Sequence, residues 1–509
     1  MNRTAAVTGQ KLSVLEKVGY SLGDLAANLI FQTLVTFLAF FYTDVFGIPA
    51  GTASLIMFVA GMMSAFVFTP IMGLIADRTR TRWGKFRPWI LWTSVPFGVI
   101  ALLAFSTPDL NPGGKVAYAW ITYVLLLAVY AANNLPYAAL SGVLTGSMKE
   151  RNSMSAYRFV AVMIAQFIIQ VLLLPLVLML GDGDRTVGFH KAMIFFASMG
   201  IVFFIITFLT TRERILPIAE KKSTIAEDLK DLSGNLPWLI TLIVTVLYFI
   251  TLALKGGAYI YYFENYLDEG ALASFLAFIR FDDFIGGLNA LVTSVGMSEF
   301  RWPKDAPTSA FSLFNACNII MQIVGIGFSK FIADRFGKRN TFGVALFLST
   351  LFLLVFYWFP PDAIGWVYLA VIGHGLAFGV TVPILWAMVA DVADYSEWKN
   401  NRRATAIIFS AMMVGLKAGL SLGGALLAAI LAYYGYEASL PVQSPATIAG
   451  IKASVSIYAS IPFFVACGAL SFYAIGKKME GRIEAELHER RRAASNRPPA
   501  PPSPSELPG

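Results

Sequence analysis

The sequence predicts an all-α polytopic membrane protein with twelve transmembrane helices in two pseudo-symmetric six-helix bundles. The first observation is composition: 57% of the 509 residues are hydrophobic and only 14% are charged, whereas a soluble protein has about a quarter of its residues charged. The second is a series of about twelve apolar runs, each near the roughly 20 residues that cross a bilayer. The third is an internal repeat that relates the two halves.

The repeat is a short basic phrase found once in each half. Residues 75–87 read IADRTRTRWGKFR, and residues 332–339 read IADRFGKR. Each copy follows one long apolar run and precedes another, so each is predicted to be a hairpin between two membrane helices on the same side of the bilayer. Many secondary transporters are built from such repeats around a central cavity, which makes transport the leading interpretation.

The apolar runs give the spans in order. The first follows a polar, basic stretch with no separate cleavable apolar segment, so no signal peptide is expected and the first helix is retained. The predicted spans are 20–43, 51–76, 87–107, 115–142, 156–180, 190–211, 237–263, 308–333, 340–359, 364–390, 403–434 and 454–476.

The loops between these spans alternate in charge. By the positive-inside rule the basic loops and both termini face the cytoplasm, in the plasma membrane, which in a bacterium is the inner membrane. The basic loops are 78–87, 149–151, 212–230, 335–339 and 399–403, and the loops between them carry almost no Lys or Arg.

These features divide the chain into four parts. Residues 264–307 have apolar residues at helical spacing, which predicts one or two short amphipathic helices over the outer mouth, either as a lid that touches substrate or as a packed surface insertion. The Pro-rich end of the tail is predicted to be disordered. The parts are an N-terminal bundle 1–211, a cytoplasmic linker 212–236, a C-terminal bundle 237–478 with the non-cytoplasmic insertion 264–307, and a cytoplasmic tail 479–509.

Other function classes are excluded by what the sequence lacks. The net charge of +8 lies in short loops between apolar runs, so it reflects membrane topology and not nucleic-acid binding. The two cysteines, Cys317 and Cys467, lie inside apolar segments and form no disulfide framework or metal-ligand motif. No cluster of His, Cys or carboxylates offers a nucleophile, metal site or cofactor site, so an enzyme is not expected.

Several motifs give the chain a family resemblance. They are GDLAAN at 23–28, FYTD at 41–44, PIMG at 70–73, RWGKFRPW at 82–89, NLPY at 134–137 and ADVADYSEW at 390–398. Together they resemble the glycoside-pentoside-hexuronide:cation symporters, relatives of the melibiose permease within the major facilitator superfamily. The resemblance covers about residues 15–480 apart from the insertion. It implies the major facilitator fold, alternating access, and transport of a sugar or glycoside with a cation.

The first predicted span carries a polar stripe. Asp24, Asn28, Gln32 and Thr36 recur every four residues and share one helix face. Because polar groups are costly in hydrocarbon, this face is predicted to line a wet cavity or a helix interface. The resemblance implies that this helix binds both sugar and cation, with Asn28 where the family has an acid. Substrate contact and interhelical hydrogen bonding alone are the two interpretations.

Three basic residues are further candidates for substrate binding. Lys417 in the eleventh span matches a lysine near the family's binding site. Arg158 in the fifth span matches an arginine that contacts sugar, and a planar guanidinium can bridge two hydroxyls; alternatively, it anchors the helix end. Lys255 in the seventh span either binds substrate or extends to the outer interface.

Amide and aromatic side chains complete the candidate site. Asn134 and Tyr137 flank Pro136 in the fourth span, where they offer an amide and a phenol. Tyr137, or Trp386 in the tenth span, could stack on a pyranose ring, although packing alone is the alternative.

The second span departs from the family pattern. The resemblance implies two acids one turn apart before PIMG that hold Na⁺ or H⁺, but Ala65 and Thr69 stand at these positions. A hard cation prefers carboxylate oxygens, so a proton is favoured over Na⁺ as the coupling ion, unless another part of the chain supplies the carboxylate. Asp24 and His374 are the candidate proton carriers, and uncoupled transport is the alternative.

Charged residues at the predicted cytoplasmic helix ends are candidates for gating. They could pair across the bundles and lock the outward-facing state, or serve as topology anchors and ordinary surface ion pairs. They are Asp77, Arg78, Asp334, Arg335, Asp391, Asp394, Arg402 and Arg403. The prediction is therefore a proton-coupled sugar or glycoside importer, with an uncoupled uniporter, a carrier of amphiphilic lipid-like substrates and a transporter-like sensor as alternatives.

Overall fold

A computed structural model describes residues 11–145, 148–214, 235–294, 302–400 and 405–495. Within these ranges 12 helices are long and apolar enough to cross a membrane. The described residues contain no strand, and Thr81 and Gly84 form an isolated β-bridge. The predicted all-α fold with twelve spans is confirmed.

The helices are numbered in chain order, with α1 to α7 and α10 to α14 as the spans. The first half contains α1 Val14–Val45, α2 Ala50–Ala76, α3 Arg87–Ala104, α4 Pro112–Leu144, α5 Ser153–Leu180 and α6 Arg185–Thr210. The second half contains α7 Leu236–Asn265, the short helices α8 Glu269–Phe278 and α9 Phe281–Ser294, α10 Ala306–Phe336, α11 Lys338–Trp358, α12 Ile364–Lys399, α13 Ile407–Tyr433 and α14 Pro445–Leu470. A last helix, α15, spans Lys477–Ser495.

Polar caps set where several spans begin. The Asn111 side chain accepts a hydrogen bond from Gly114 N–H at the start of α4, and Asp305 does the same for Thr308 N–H at the start of α10. Asp184 caps α6 in the same way. Because the first N–H groups of a helix have no intrahelical acceptor, such caps place the helix ends where polar surface replaces lipid.

The two halves pack alike, as an internal repeat requires. In the first lobe, α1 packs against α5 and α6, and α3 packs against α4 and α6. In the second lobe, α7 packs against α13 and α14, and α11 packs against α12 and α14. The second lobe therefore repeats the arrangement of the first, with α7 in the place of α1.

The lobes meet most closely along α2 and α13. A β-carbon on Gly61 would lie 2.0 Å from Ser421 Oγ, so only glycine allows this approach. Seven residues before Gly61 on α2, Ser54 donates a hydrogen bond to the Ala425 carbonyl of α13 at 2.7 Å. On the other face of the lobes, Asn315 of α10 donates to the Gln170 carbonyl of α5 at 3.1 Å.

The twelve spans in the described part of the chain alternate in direction, so α1 begins and α14 ends on the same side of the membrane. This side is here called the terminal side, and the other is the distal side. Polar contacts join the lobes at the distal side. Arg185 forms an ion pair with Glu264 at 2.7 Å, and Thr43 shares a hydrogen bond with the Tyr261 hydroxyl at 2.8 Å. The Tyr436 hydroxyl also donates to Asp44.

On the terminal side, the ion pairs between described residues stay within one lobe. Arg214 pairs with Glu16 at 2.6 Å in the first lobe, and Lys338 pairs with Asp391 at 2.6 Å in the second. Within the described part of the chain, the contacts that join the lobes therefore lie from mid-membrane to the distal side.

The insertion contains the two short helices that the periodicity predicts. Leu272 and Leu276 of α8 are buried, and Phe275 stacks on Tyr368 of α12 with ring centroids 4.7 Å apart. The Asp268 N–H donates to the Pro361 carbonyl at 3.0 Å. The helix α8 is therefore packed on the distal end of the second lobe.

Candidate functional site

A chamber lies between the lobes near mid-membrane. The empty space within it is about 620 Å³, including solvent on its open side. Its wall is mostly apolar, with Ser64, Lys417 and Ser421 as its polar side chains apart from tyrosines. The lining residues are Phe31, Leu34, Val35, Met57, Ser64, Tyr123, Leu127, Tyr130, Ala253, Lys417, Leu420, Ser421 and Gly424.

Lys417 spans the chamber from the second lobe to the first. Its ammonium donates a hydrogen bond to Thr69 Oγ1 at 2.7 Å and lies 5.9 Å from the centroid of the Tyr130 ring. Among the described residues no carboxylate lies within 4.0 Å of this ammonium. A lysine at this depth needs a counter-charge, a polar substrate or water, so Lys417 is open to a substrate oxygen.

The second helix changes form beside Lys417. Residues Ser64–Phe68 form a π-helical turn, and Thr69 Oγ1 donates to the Ser64 carbonyl at 2.7 Å. Such turns insert one residue into a helix and are frequent at functional sites. Ala65 is buried in this turn, so the two positions that carry acids in the resembling family supply a methyl group and a hydroxyl here.

Asp24 and Arg158 form an ion pair within the first lobe. Arg158 Nε lies 2.9 Å from Asp24 Oδ2; the Asp24 side chain is 9% exposed and the Arg158 side chain 30%. The guanidinium lies 5.7 Å and 5.4 Å from the ring centroids of Tyr20 and Tyr137. These rings stack 4.6 Å apart, and each hydroxyl donates to the other residue's carbonyl. The structure thus joins three predicted site residues in one rigid cluster.

The rest of the α1 stripe runs from this cluster toward the distal side. Asn28 donates to the Asp24 carbonyl at 2.9 Å and to Asp24 Oδ1 at 3.3 Å. Gln32 accepts a hydrogen bond from Gln170 of α5 at 3.5 Å. The Thr36 hydroxyl is buried without a partner among the described residues. Asn28 and Gln32 are half-buried, and neither is among the residues that line the chamber.

Asn134 and Trp386 have no hydrogen-bond partner among the described residues, and both are half-buried. The neighbouring Asn133 is the buried amide, and it donates to Thr93 Oγ1 of α3 at 2.8 Å. The amide of Asn133 therefore joins α4 to α3, and the amide of Asn134 remains available for a hydrogen bond to a ligand.

The structure places Lys255 and His374 in the interior of the second lobe. Lys255 is 3% exposed and His374 0% exposed, and their nitrogens Nζ and Nε2 are 2.6 Å apart. Neither residue lines the chamber, and the interpretation that Lys255 extends to the outer interface is wrong. The reason is that its side chain has a hydrogen-bond acceptor on α12 and an aromatic ring, Phe378, 4.8 Å away.

The proposed gating residues are found at the terminal helix ends. Asp391 pairs with Lys338 of its own lobe, and both line a surface pocket together with Asp394. The side chains of Arg78, Asp334 and Arg335 are exposed. The side chain of Asp77, together with Arg402 and Arg403, falls outside the described part of the chain. A role for these residues in locking another conformation stays a prediction.

Glu150, outside the membrane spans, has a lysine as its electrostatic partner. Glu150 lies 2.8 Å from the Lys17 ammonium, and that charge-assisted hydrogen bond lowers the pKa of the carboxyl. The pair connects the start of α1 to the segment before α5, so it fixes the terminal end of the first lobe.

Sequence reasoning missed Tyr20, Tyr130 and Gln170. Tyr20 lies four residues before Asp24 and so extends the stripe by one turn, a signal that the periodicity contained. Tyr130 and Gln170 carry no such signal, because an aromatic or amide residue in an apolar helix is placed only by its neighbours.

Comparison with known proteins decides the family. A family model described as MFS/sugar transport protein matches residues 19–297 and 306–477. The chain belongs to this family. The unmatched stretch between the two ranges lies within the predicted insertion, so the core of both lobes is covered.

Relatives of known name agree with this assignment. The chain is 34% identical to the inner membrane symporter YicJ of Escherichia coli strain K12 over 89% of this chain and 90% of YicJ. It is 30% identical to the isoprimeverose transporter of Lactiplantibacillus pentosus over 93% and 91% of the two chains. It is 27% identical to the glucuronide carrier protein homolog of E. coli over 95% and 97%.

Solved structures confirm the fold. A bacterial homolog of the human lysosomal transporter Spinster, in an inward-facing and unoccupied conformation, matches with a TM-score of 0.59 at 12% identity over 96% of this chain and 100% of that one. The predicted resemblance to the glycoside symporters and the major facilitator fold is therefore confirmed. The protein is an integral membrane transporter and not an enzyme.

Proposed function

We propose that this protein imports a sugar or glycoside by alternating access, together with a proton. The observation that carries the proposal is the chamber between the lobes, where Lys417 reaches from α13 to Thr69 of α2. The partner of the Lys417 ammonium among the described residues is a hydroxyl. It can be exchanged for a sugar oxygen at little cost, because one hydrogen bond replaces another. The names of the relatives YicJ and the isoprimeverose transporter support a symporter and a sugar substrate.

An aromatic ring in the chamber wall and three polar side chains elsewhere in the first lobe support a sugar substrate. Tyr130 presents a ring to the chamber, and aromatic rings pack well against the apolar face of a pyranose. Arg158, Asn28 and Gln32 lie along the same side of the first lobe and are partly exposed. We propose that they hydrogen-bond the hydroxyl groups of the substrate.

The coupling ion is proposed from the chemistry of α2. Sodium needs several hard oxygen ligands, and a carboxylate among them offsets the loss of its hydration shell. Ala65 and Thr69 provide no carboxylate, which favours a proton over Na⁺. The same absence favours uncoupled uniport as the second candidate.

Alternating access and orientation complete the proposal. The lobes are joined at the distal side by Arg185 and Glu264 and by Thr43 and Tyr261. We propose that the distal side faces out and that both termini face the cytoplasm, as the basic loops on the terminal side indicate. The structure would then represent the state closed to the outside, and rocking of the lobes would open the distal side.

The test is transport by the purified full-length protein in proteoliposomes. Isoprimeverose, methyl glucosides and a methyl glucuronide serve as radiolabelled probes, in counterflow and under imposed pH or Na⁺ gradients. At a probe concentration below the wild-type KM, Lys417→Met is expected to reduce counterflow by about 10-fold or more, because a hydrogen bond to a charged group is lost. Lys452→Met is the matched control because Lys452 stacks on Tyr266 and Tyr357 outside the chamber.

Each result separates the candidate functions. Accumulation driven by an inside-alkaline pH gradient, and not by Na⁺, supports the proposal. Counterflow without accumulation under either gradient supports uniport. Absence of flux for every probe contradicts a sugar transporter and favours a sensor or a carrier of another substrate.

A further inference from the structure

The interior of the second lobe contains two basic side chains in direct contact. Lys255 Nζ lies 2.6 Å from His374 Nε2. His374 Nδ1 lies 3.1 Å from the Ser349 carbonyl and 2.9 Å from the Ser349 hydroxyl. Because a carbonyl can only accept, Nδ1 carries the ring proton and Nε2 presents its lone pair to Lys255.

This geometry suits either charge state of the lysine. A neutral amine and an ammonium both have N–H groups to donate, so the bond to Nε2 persists when Lys255 gains or loses a proton. The ring of Phe378, 4.8 Å from Nζ, stabilises the ammonium by a cation–π interaction. A second positive charge on His374 would be repelled at this distance without water. The pair therefore holds one exchangeable proton.

No acid among the described residues compensates the charge of the Lys255–His374 pair. Tyr259 of α7 has its ring centroid 6.0 Å from Lys255 Nζ, Ser349 comes from α11, and Phe378 comes from α12. Among the described residues of the other helices packed against α7 and α12, no charged or titratable side chain lies within hydrogen-bond or ion-pair distance of either nitrogen. The charge of the pair thus depends on its own proton and not on a fixed partner.

A row of phenols leads from Lys255 to the distal side. Tyr259, Tyr262 and Tyr266 follow Lys255 by four, seven and eleven residues and so share its face of α7. Tyr259 is 3% exposed and Tyr262 0% exposed, and neither hydroxyl has a partner among the described residues. Buried hydroxyls are almost always hydrogen-bonded, to protein or to ordered water.

We propose that Lys255 and His374 form the proton-binding site of this transporter, and that protons reach it from the distal side through water held by Tyr259 and Tyr262. The site replaces the carboxylates that α2 lacks at Ala65 and Thr69. The inference rests on the proposed function, since a transporter uses such a site only if a substrate moves with the proton. The proton that enters binds the Lys255 amine and leaves from it when the lobes rock.

The first experiment needs no substrate. The full-length protein with His190→Gln and His488→Gln, in lipid nanodiscs and labelled with ¹⁵N-histidine, leaves His374 as the one histidine. The Nε2 resonance is expected to move between two values as the pH is lowered from alkaline to acidic, while Nδ1 stays protonated. Adding Lys255→Met should remove that movement. A pH-independent Nε2 resonance with Lys255 present overturns the proposal.

The second experiment is transport of the glycoside probe that shows counterflow. A pH gradient of one unit supports at most about tenfold accumulation with one proton per substrate. Lys255→Met and His374→Gln should reduce the ratio to one while counterflow continues. Tyr259→Phe and Tyr262→Phe should slow proton-driven uptake, whereas Tyr248→Phe, an equally buried phenol bonded to Thr381, should not.

The outcomes distinguish the two proposals. Wild-type accumulation in Lys255→Met overturns the proton site and leaves sugar transport intact. A pH-dependent His374 resonance without flux of any glycoside supports the proton site and contradicts the substrate class. Loss of both counterflow and accumulation in Lys255→Met, but not in His374→Gln, means that Lys255 supports folding or substrate binding, and the proton site is then wrong.

Discussion

Replacing Asp24 by Asn should destabilise the first lobe strongly. The substitution keeps the size of the side chain but removes the negative charge that faces Arg158 at 2.9 Å. The guanidinium then remains between Tyr20 and Tyr137 without its counter-charge. Arg158→Gln is expected to have a similar effect, because it leaves Asp24 buried and unpaired.

The size of the effect follows from the burial of the pair. Two unit charges about 4 Å apart interact by about 4 kcal/mol at an effective dielectric constant of 20, and removing one partner of a buried pair costs about 3–5 kcal/mol. Because the Arg158 side chain is 30% exposed and keeps some hydration, we expect a loss near the lower end, about 3 kcal/mol in the free energy of unfolding. The double variant Asp24→Asn/Arg158→Gln should lose less than the sum of the two single changes.

The assay is equilibrium unfolding in mixed micelles by SDS titration, followed by tryptophan fluorescence, as a double-mutant cycle. The matched control is the pair Arg280 and Asp283, which is 4.0 Å apart with side chains 83% and 76% exposed. Its coupling energy should be near zero. A coupling energy for Asp24 and Arg158 below about 0.5 kcal/mol would refute the argument that burial makes this pair strong.

Three further predictions concern the chamber and the two membrane faces. Lys417→Met should raise the KM for a transported glycoside about 10-fold or more, since a hydrogen bond to a charged group contributes about 1.5–3 kcal/mol. An unchanged KM in proteoliposomes would show that Lys417 is not part of the substrate-binding site. Arg185→Gln should weaken the distal contact with Glu264 and increase the distance between spin labels on the distal loops of the two lobes, measured by electron–electron double resonance. Glu150→Gln should lower the melting temperature below that of the wild type at neutral pH. This difference between the two proteins should vanish as the pH falls through the lowered pKa of Glu150, because protonation of the wild-type carboxylate also removes the ion pair with Lys17. A difference in melting temperature that persists in acid would show another cause.

The twelve spans and the repeat could be predicted because the bilayer imposes them on the sequence itself. Each backbone polar group must be satisfied within lipid, so a run of about 20 apolar residues has one solution, a helix. The stripe from Asp24 to Thr36 could be predicted in the same way, since a period of four in an apolar helix needs a protein or water neighbour. The structure confirms the spans and places two residues of the stripe, Asp24 and Gln32, against polar side chains of α5.

The partners of the candidate residues could not be predicted, because they come from helices far apart in the chain. Lys255 and His374 each looked like a lone polar residue, and their 2.6 Å contact exists only because α7 packs against α12. Likewise, the contact of Lys417 with Thr69 depends on how closely the lobes approach at Gly61.

The polarity of the residues along the sequence thus determined where the chain crosses the membrane and which residues cannot face hydrocarbon, and the repeated basic motif indicated that the two halves are related. Tertiary packing alone decided which of those residues face the chamber and which face each other. The physical reason is that the energy of a polar group at membrane depth depends on what lies within a few ångströms of it, and that neighbour is set by helix packing and not by the neighbouring residues in sequence.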